Sequence, residues 1–128
     1  MKPPSTGLLN GSHKELFADG GPSGEGQLNN GKRHGKWKFY YKSGGVKAVG
    51  AYLNGELDGY WEWWRENGQL LQVGAFANAV QVGLWKRYYD NGQLLDEGMY
   101  EDGKKVGAWN VYDKSGAIKQ SKAYKSKK

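Results

Sequence analysis

Residues 83–106, GLWKRYYDNGQLLDEGMYEDGKKV, contain the pattern that decides the fold. A run rich in aromatic residues leads to an Asn-Gly pair, a second run follows, and an Asp-Gly pair closes the segment. Asn-Gly and Asp-Gly accept the positive φ angles of tight hairpin turns. The segment therefore predicts a strand, a hairpin turn, a second strand and a second turn, and it shows no helical periodicity.

The same pattern recurs every 24 residues along the chain. Each repeat begins with a glycine and carries a tryptophan two positions later and an aromatic residue three positions after that. The glycines are Gly35, Gly59, Gly83 and Gly107, the tryptophans are Trp37, Trp61, Trp85 and Trp109, and the later aromatics are Tyr40, Trp64, Tyr88 and Tyr112. The recurrence predicts an all-β antiparallel meander built from hairpin repeats.

The repeat divides the chain into three regions. Residues 1–19 are interpreted as a loose leader with a degraded cap, residues 20–124 as the array and residues 125–128 as a basic tail. Terminal repeats are commonly atypical in such arrays, which fits a worn first unit. Within the array we expect five units, the first and last of them partial, at residues 20–34, 35–58, 59–82, 83–106 and 107–124.

Composition excludes several kinds of functional site. The chain has no cysteine, so disulfides and thiolate zinc sites are excluded. His34 occupies a column that holds valine in two sister units, and His13 has no recognisable partner, so neither is expected to act chemically. The carboxylates of the third full unit, among them Asp96, are interpreted as solvated. We therefore expect a protein with no catalytic residues, no metal and no cofactor.

No stretch approaches the ~20 apolar residues that span a bilayer, and no signal-peptide core is present, so a cytoplasmic location is expected. The net charge of +6 is concentrated at one end, because residues 119–128 hold five lysines and no acid and leave +1 for the rest. These lysines define a lipid-binding alternative, at about 1 kcal/mol each near an acidic bilayer. The nearly neutral body argues against nucleic acid, whose phosphates are bound by a basic stripe. The lysines are Lys119, Lys122, Lys125, Lys127 and Lys128.

Strand pairing can be predicted from the Asn67-Gly68 turn. If these two residues form a type I′ turn, and not a three-residue loop with a bulge that would shift the pairing, Trp61 lies opposite Gly74, where its ring would cover backbone that a glycine leaves bare. The same rule applies in the neighbouring units. In the last unit Lys122 replaces the glycine, so residues after about 118 are expected to fray.

Alternation along the strands puts aromatic rings on both faces of the sheet. Either the array rolls or stacks to bury one face, or some rings are left exposed for binding. Columns that recur in every unit are assigned to packing, whereas the columns two and four residues after each tryptophan vary and contain Tyr, Trp and Arg, which dominate interface energetics. The alternative for these columns is a stacked aromatic face closed by Arg–π contacts. The candidate protein-binding residues are Phe39, Tyr41, Trp63, Arg65, Arg87 and Tyr89.

Residues 30–37, NGKRHGKW, resemble the start of a MORN repeat, and residues 83–94 resemble the bacterial MORN variant of the YwqK-type toxin–antitoxin antitoxins. The resemblance covers roughly residues 20–124. It implies an elongated, single-layer β-meander that binds protein, in some members self-associates through an array end or binds phospholipid, and is not itself catalytic. One join departs from the pattern, because Asn78-Ala79 replaces Asn-Gly, so a different turn is expected there.

The sequence thus predicts a non-catalytic protein-binding module, in the form of an antitoxin-like or immunity-like protein that neutralises a partner. The alternative is binding to a phospholipid surface through exposed rings and the lysine-rich C-terminus. An open meander has two edge strands that invite pairing with another chain, but the lysines of the last unit oppose it. A monomer or a weak edge-to-edge homodimer is therefore expected.

Overall fold

The computed structural model describes residues 10–125 of the 128-residue chain. Residues 1–9 of the expected leader, and Lys127 and Lys128 of the expected tail, lie outside this range. The described residues form ten β-strands and no helix. The strands are β1 (Gly11–Leu16), β2 (Pro22–Asn29), β3 (Lys32–Tyr40), β4 (Val46–Leu53), β5 (Glu56–Trp64), β6 (Leu70–Ala77), β7 (Val80–Tyr88), β8 (Leu94–Glu101), β9 (Lys104–Tyr112) and β10 (Ile118–Tyr124).

All ten strands belong to one open sheet, and they lie in it in the order in which they follow along the chain. Every neighbouring pair is antiparallel. Two successive strands make one hairpin, and one hairpin corresponds to one 24-residue unit. The predicted fold class, a single-layer antiparallel meander of hairpin repeats, is confirmed.

The first hairpin begins inside the segment that the sequence assigns to the leader. β1 pairs with β2 from Gly11 onward, so strand pairing crosses the predicted boundary at residue 20. Gly11 precedes Gly35 by one repeat length, and His13 takes the position of Trp37, with 6.4 Å between the two ring centroids. The absence of a tryptophan in β1 hides this hairpin in the sequence. The division into leader, array and tail otherwise stays a prediction.

The turn within each hairpin is not the predicted two-residue turn. In the β5–β6 hairpin, Gly68 N–H donates to the carbonyl of Arg65 (2.9 Å), and Arg65 N–H donates to the carbonyl of Gln69 (2.8 Å). Gly68 has a φ of 91°, whereas Asn67 has no positive φ. The connection is therefore a three-residue loop with a glycine bulge, which matches the strand twist without requiring two left-handed residues.

The predicted strand pairing is nevertheless correct, because a second irregularity cancels the first. Next to the loop, Trp64 pairs with Leu70, one residue away from the predicted register. The register then shifts between Trp63 and Trp64, and this shift brings Trp61 opposite Gly74 as expected. The expected fraying is not seen either, since β10 pairs with β9 up to Tyr124.

Type I′ turns lie instead between the hairpins. Asn54 and Gly55 have φ angles of 50° and 89°, and Asn78 and Ala79 have φ angles of 53° and 67°. The second residue of each turn donates its backbone N–H to the preceding hairpin. Gly55 N–H donates to the carbonyl of Arg33 (2.8 Å), and Ala79 N–H donates to the carbonyl of Leu57 (3.0 Å). The expectation of a different turn at Asn78-Ala79 is wrong, because alanine takes up the left-handed conformation at a cost of about 1–2 kcal/mol.

Replacing Ala79 with glycine is expected to raise the free energy of unfolding by about 1 kcal/mol, since the left-handed strain is removed and only part of it is offset by the freedom of glycine in the unfolded chain. The matched control is Gly55→Ala, which should lower it by a similar amount. There the new methyl group meets nothing closer than the Lys32 side chain at 3.5 Å, so only the backbone is tested. Urea denaturation measures both, and an unchanged midpoint for Ala79→Gly would contradict the assignment of strain.

Each tryptophan ring covers a glycine of the preceding hairpin, not of its own. A methyl group built on Gly50 would lie 1.9 Å from Cδ2 of Trp61, and one built on Gly74 would lie 2.0 Å from Cδ2 of Trp85. The predicted covering of Gly74 by Trp61 is therefore wrong, although the two residues are cross-strand partners. The tryptophans couple neighbouring hairpins.

A bulge with two extra residues explains why each tryptophan covers a glycine of the preceding hairpin. Val49 pairs with Glu62 and Ala51 pairs with Asp58, so β5 has two more residues than β4 between these pairs. Gly59, with a φ of 73°, lies in the extra segment just before Trp61. The recurring Gly-x-Trp is thus a glycine-dependent bulge that aims the indole back over the previous strand.

The indole N–H fixes each ring over its glycine. Trp61 Nε1 donates to the carbonyl of Ala51 (3.0 Å), which directly follows the covered Gly50. The other three tryptophans make the equivalent bond, at 2.9 to 3.2 Å. All four are at most 6% exposed. The bulge leaves these carbonyls without a backbone donor, and the indole N–H groups donate to them instead. The buried indoles form a core although the sheet has no second layer.

Candidate functional site

The face of the sheet that carries the four recurring tryptophans and Trp63, here called the Trp face, is covered by a ladder of stacked rings. Neighbouring rings of the ladder are 5.8 to 6.2 Å apart between centroids, with interplanar angles of 20° to 30°. In order along the sheet the stacked rings are Trp37, Phe39, Trp61, Trp63 and Trp85. The candidate residues Phe39 and Trp63 are therefore half-buried members of the stack.

A second row of rings closes the ladder from the side. Tyr52 meets Trp61 edge-on at 5.3 Å, Phe76 meets Trp85 at 5.2 Å, and Tyr100 meets Trp109 at 5.2 Å. Each of these contacts again joins one hairpin to the next. Of the two explanations that the sequence left open, stacking within the layer accounts for the burial of the Trp face, with no rolling of the sheet required.

The N-terminal end of the ladder is capped by an ion pair. The Arg33 guanidinium lies 5.2 Å from the ring centroids of both Trp37 and Phe39. It donates to both carboxylate oxygens of Glu15, the shorter contact being 2.7 Å, and this hydrogen bonding raises the pKa of Arg33. Glu15 takes, in the first hairpin, the position that Phe39 takes in the second. A carboxylate thus replaces a ring there.

The ladder is interrupted in the fourth hairpin, where Arg87 takes the position of Phe39 and Trp63. Arg87 donates from Nη2 and Nε to the two oxygens of Asp96, at 2.6 and 3.1 Å, which raises the pKa of Arg87. The Asp96 side chain is only 6% exposed, whereas 56% of the Arg87 side chain is exposed. The interpretation of Asp96 as a solvated carboxylate is wrong, because Asp96 lies directly opposite Arg87 in the register.

A cavity of about 320 Å³, here called the Arg87 cavity, opens at this interruption. It lies against Trp85 and Trp109, between which the ladder holds no ring. The floor is aromatic, and the polar groups come from strands β6 to β9. The lining residues are Gln72, Gln81, Trp85, Arg87, Asp96, Tyr100, Lys105 and Trp109.

The candidate residues four positions after each tryptophan make hydrogen bonds to the next hairpin. The Tyr41 hydroxyl donates to the carbonyl of Trp64 at 2.6 Å, and the Tyr89 hydroxyl donates to the carbonyl of Tyr112 at 2.7 Å. Arg65 makes the same link through Nη2, to a carbonyl 23 residues ahead at 2.9 Å. Each contact caps the last carbonyl of the first strand in the next hairpin. Tyr41, Arg65 and Tyr89 therefore brace neighbouring hairpins.

In the last hairpin, Asp113 occupies this bracing position. Its Oδ1 accepts from the Ser115 hydroxyl (2.6 Å), the Ser115 backbone N–H (2.9 Å) and the Ala117 N–H (3.1 Å). These hydrogen bonds lower the pKa of Asp113, and the bond from the Ser115 hydroxyl has the largest effect. No further hairpin follows among residues 10–125, so the side chain caps its own turn.

The opposite face also leaves apolar side chains in solvent. Tyr60, Leu84 and Met99 are 58%, 50% and 46% exposed. At the two ends of this face, Tyr40 donates to Glu25 and Tyr112 donates to Glu97, the latter at 2.7 Å. The bond to Glu25 raises the pKa of Tyr40 to about 12.

The lysines of the lipid-binding alternative lie on and just after the last strand. Lys119 and Lys122 are exposed on β10, and Lys125 is exposed directly after it. Lys122 Nζ is 5.0 Å from the Tyr124 ring. Within the described range no His, Asp and Glu side chains gather into a set that would hold a metal ion, and no helix is long and apolar enough to cross a membrane.

The family described as MORN repeat variant matches residues 33–54, 57–78 and 81–102, which together exceed half of the chain. The chain therefore belongs to this family of MORN repeat proteins. MORN repeats are commonly protein- or membrane-binding modules, and nothing in the described residues points to catalysis.

No curated protein matches the sequence. A solved structure, "Crystal structure of GtfA/B complex bound to UDP and GlcNAc", is similar with 16% sequence identity and a TM-score of 0.39. The match covers 73% of this chain and 22% of that one, so the chain spans less than a quarter of its length. This likeness carries no inference about fold or function.

Replacing Arg87 with alanine is expected to lower the free energy of unfolding by about 2–3 kcal/mol, because it leaves a buried Asp96 carboxylate without its partner. The double variant Arg87→Trp/Asp96→Gln copies the Trp63–Gln72 pair of the previous hairpin and should be at least as stable as the wild type. Thermal unfolding of the three proteins measures this. A single variant as stable as the wild type would contradict the burial of Asp96.

Proposed function

We propose that this chain is a non-catalytic protein-binding module that receives its partner on the Trp face, at the Arg87 cavity. One observation carries the proposal. In the second and third hairpins a ring, Phe39 or Trp63, fills the position of Arg87, whereas here a guanidinium that is 56% exposed lies beside a cavity with an aromatic floor. Exposed arginine beside buried aromatic rings is the composition that dominates protein–protein binding energy.

The rest of the Trp face supports this placement. Phe39 and Trp63 offer half-buried ring edges in line with Arg87, and the bracing of Tyr41, Arg65 and Tyr89 keeps the hairpins in fixed order behind them. A surface that is rigid before binding loses little conformational entropy on association. An antitoxin-like neutralisation of a partner protein is the particular form of this proposal that the resemblance to YwqK-type proteins favours.

The test compares the proteins that the wild type captures from a lysate with those that two folded variants capture. The wild type, Arg87→Trp/Asp96→Gln on the Trp face and Tyr60→Ala/Leu84→Ala on the opposite face are immobilised and exposed to a lysate of the source cells. We expect one protein to be enriched by the wild type and by the opposite-face variant and lost with the Trp-face variant. Loss with the opposite-face variant alone would refute the placement.

Lipid vesicles containing phosphatidylserine provide the second arm of the experiment. Under the proposal they do not bind the wild type at physiological salt. If vesicles bind, no protein is captured, and Lys119→Gln/Lys122→Gln/Lys125→Gln abolishes vesicle binding, the protein-binding proposal is wrong and the lipid alternative takes its place.

A further inference from the structure

The hairpins of this chain can be compared with one another, and the first one shows where an anion fits. At the start of the ladder the Glu15 carboxylate accepts from Arg33, which lies over the rings of Trp37 and Phe39. Three repeat lengths further along, the positions of Glu15 and Arg33 are held by Arg87 and Lys105. The two positions that hold an anion and a cation between the first and second hairpins therefore hold two cations at the Arg87 cavity, between the fourth and fifth.

The charges of the Arg87 cavity are unequal. Among its lining residues, Arg87 and Lys105 are cations and Asp96 is the single carboxylate. Asp96 accepts from the Nε and Nη2 groups of Arg87, which leaves Nη1 without an acceptor among residues 10–125. Lys105 Nζ lies 4.6 Å from the Trp109 ring and 5.6 Å from the Tyr124 ring. One positive charge is thus in excess beside an aromatic floor.

The cavity also suits the size and polarity of a carboxylate-bearing side chain. Its volume of about 320 Å³ exceeds that of one side chain, and the amides of Gln72 and Gln81 add hydrogen-bond donors to its wall. Trp85 and Trp109 beneath it are only 5% and 6% exposed, whereas Arg87 and Lys105 are exposed and accessible to a ligand from solvent. Charge-assisted hydrogen bonds are about twice as strong as those between neutral groups.

We propose that the Arg87 cavity is a carboxylate-binding site, in which Arg87 Nη1 and Lys105 Nζ donate to an acidic side chain of the partner protein. That the acidic side chain belongs to a partner protein rests on the proposed function, whereas the ability to bind a carboxylate is a property of this chain alone. Asp96 keeps the guanidinium in place by holding its other edge. An aspartate or glutamate inserted from a partner would complete in the fourth hairpin the pairing that Glu15 completes in the first.

The test uses N-acetylglutamate as the probe and N-acetylglutamine as its neutral match, at constant ionic strength. Binding is followed by NMR through the indole N–H signals of Trp85 and Trp109. We expect a saturable shift with N-acetylglutamate, and an affinity at least about tenfold lower with N-acetylglutamine, since a charged hydrogen bond contributes about 1.5–3 kcal/mol and 1.4 kcal/mol is a factor of ten.

The variants make the site specific. Lys105→Gln, which copies Gln81 of the previous hairpin, should lower the affinity for N-acetylglutamate about tenfold. Lys104→Gln, at the exposed neighbouring position, should leave this affinity unchanged. Equal shifts with both probes, an unchanged affinity in Lys105→Gln, or no saturable shift would each overturn the inference. Probe binding without a captured protein would refute only the proposed function. A partner whose capture is lost with Arg87→Trp/Asp96→Gln, combined with an inert probe, would refute only the carboxylate site.

Discussion

Truncation of Trp61 to alanine is expected to lower the free energy of unfolding by about 4 kcal/mol. The ring is 2% exposed and lies between Phe39 and Trp63, with Tyr52 against its edge. Removal of a fully buried aromatic side chain typically costs about 3–5 kcal/mol, and a single-layer sheet has no second layer that could collapse into the space. The substitution also leaves the carbonyl of Ala51 without its hydrogen-bond donor, the Trp61 indole N–H.

Tyr60 provides the control one position away. Its side chain is 58% exposed on the opposite face, so Tyr60→Ala should change the free energy of unfolding by no more than about 0.5 kcal/mol. Both variants are measured by urea denaturation followed by circular dichroism, which does not depend on the tryptophans as fluorescent probes. Equal losses for Trp61→Ala and Tyr60→Ala would contradict the assignment of the buried face.

Adding a single methyl group at Gly74 is expected to cost about 3 kcal/mol. The new Cβ would lie 2.0 Å from Cδ2 of Trp85, a separation that requires the indole or the strand to move. Trp85 is 5% exposed and its ring centroid lies 5.8 Å from that of Trp63, so it has little room to move. Overpacking of a well-packed core typically costs about 1–3 kcal/mol, and the rigid ring places this site at the upper end.

Gly45 separates this steric effect from the general effect of replacing glycine. A methyl group at Gly45 meets nothing within 4 Å, and this residue has no positive φ. Gly45→Ala should therefore stay within about 0.5 kcal/mol of the wild type in the same denaturation experiment. If Gly74→Ala were as mild as Gly45→Ala, the tryptophan would not lie over the glycine.

The sequence predicted the strands well because local signals define them. Tight-turn residues mark every reversal of the chain, and the 24-residue recurrence averages out weak signals in single units. The pairing of Trp61 with Gly74 came out right only because two irregularities cancel. The bulge at Gly59 is not predictable from the sequence, since a recurring glycine indicates a special backbone position without saying how it redirects the tryptophan two residues later. For that reason the ring was assigned to the wrong glycine.

The candidate site was predicted in part for a similar reason. The 24-residue recurrence places Arg87 in the column of Trp63, and the structure adds its partner Asp96, which lies directly across the hairpin. The register could have found this pair, because an acid opposite an arginine on one face predicts an ion pair. The bracing role of Tyr41 depends on a carbonyl 23 residues ahead. Such a contact requires the register between hairpins, which turn residues alone do not define.

The coupling of hairpins by their tryptophans is tested most directly by the NMR shifts of the glycine α-protons in a Trp61→Leu variant. In the wild type, the α-protons of Gly50 and Gly74 should both be shifted upfield, because Trp61 and Trp85 lie over them. In the variant, we expect Gly50 to lose its upfield shift and Gly74 to keep it. Loss of the shift at Gly74, with Gly50 unchanged, would show that the ring covers its own hairpin and would contradict the account.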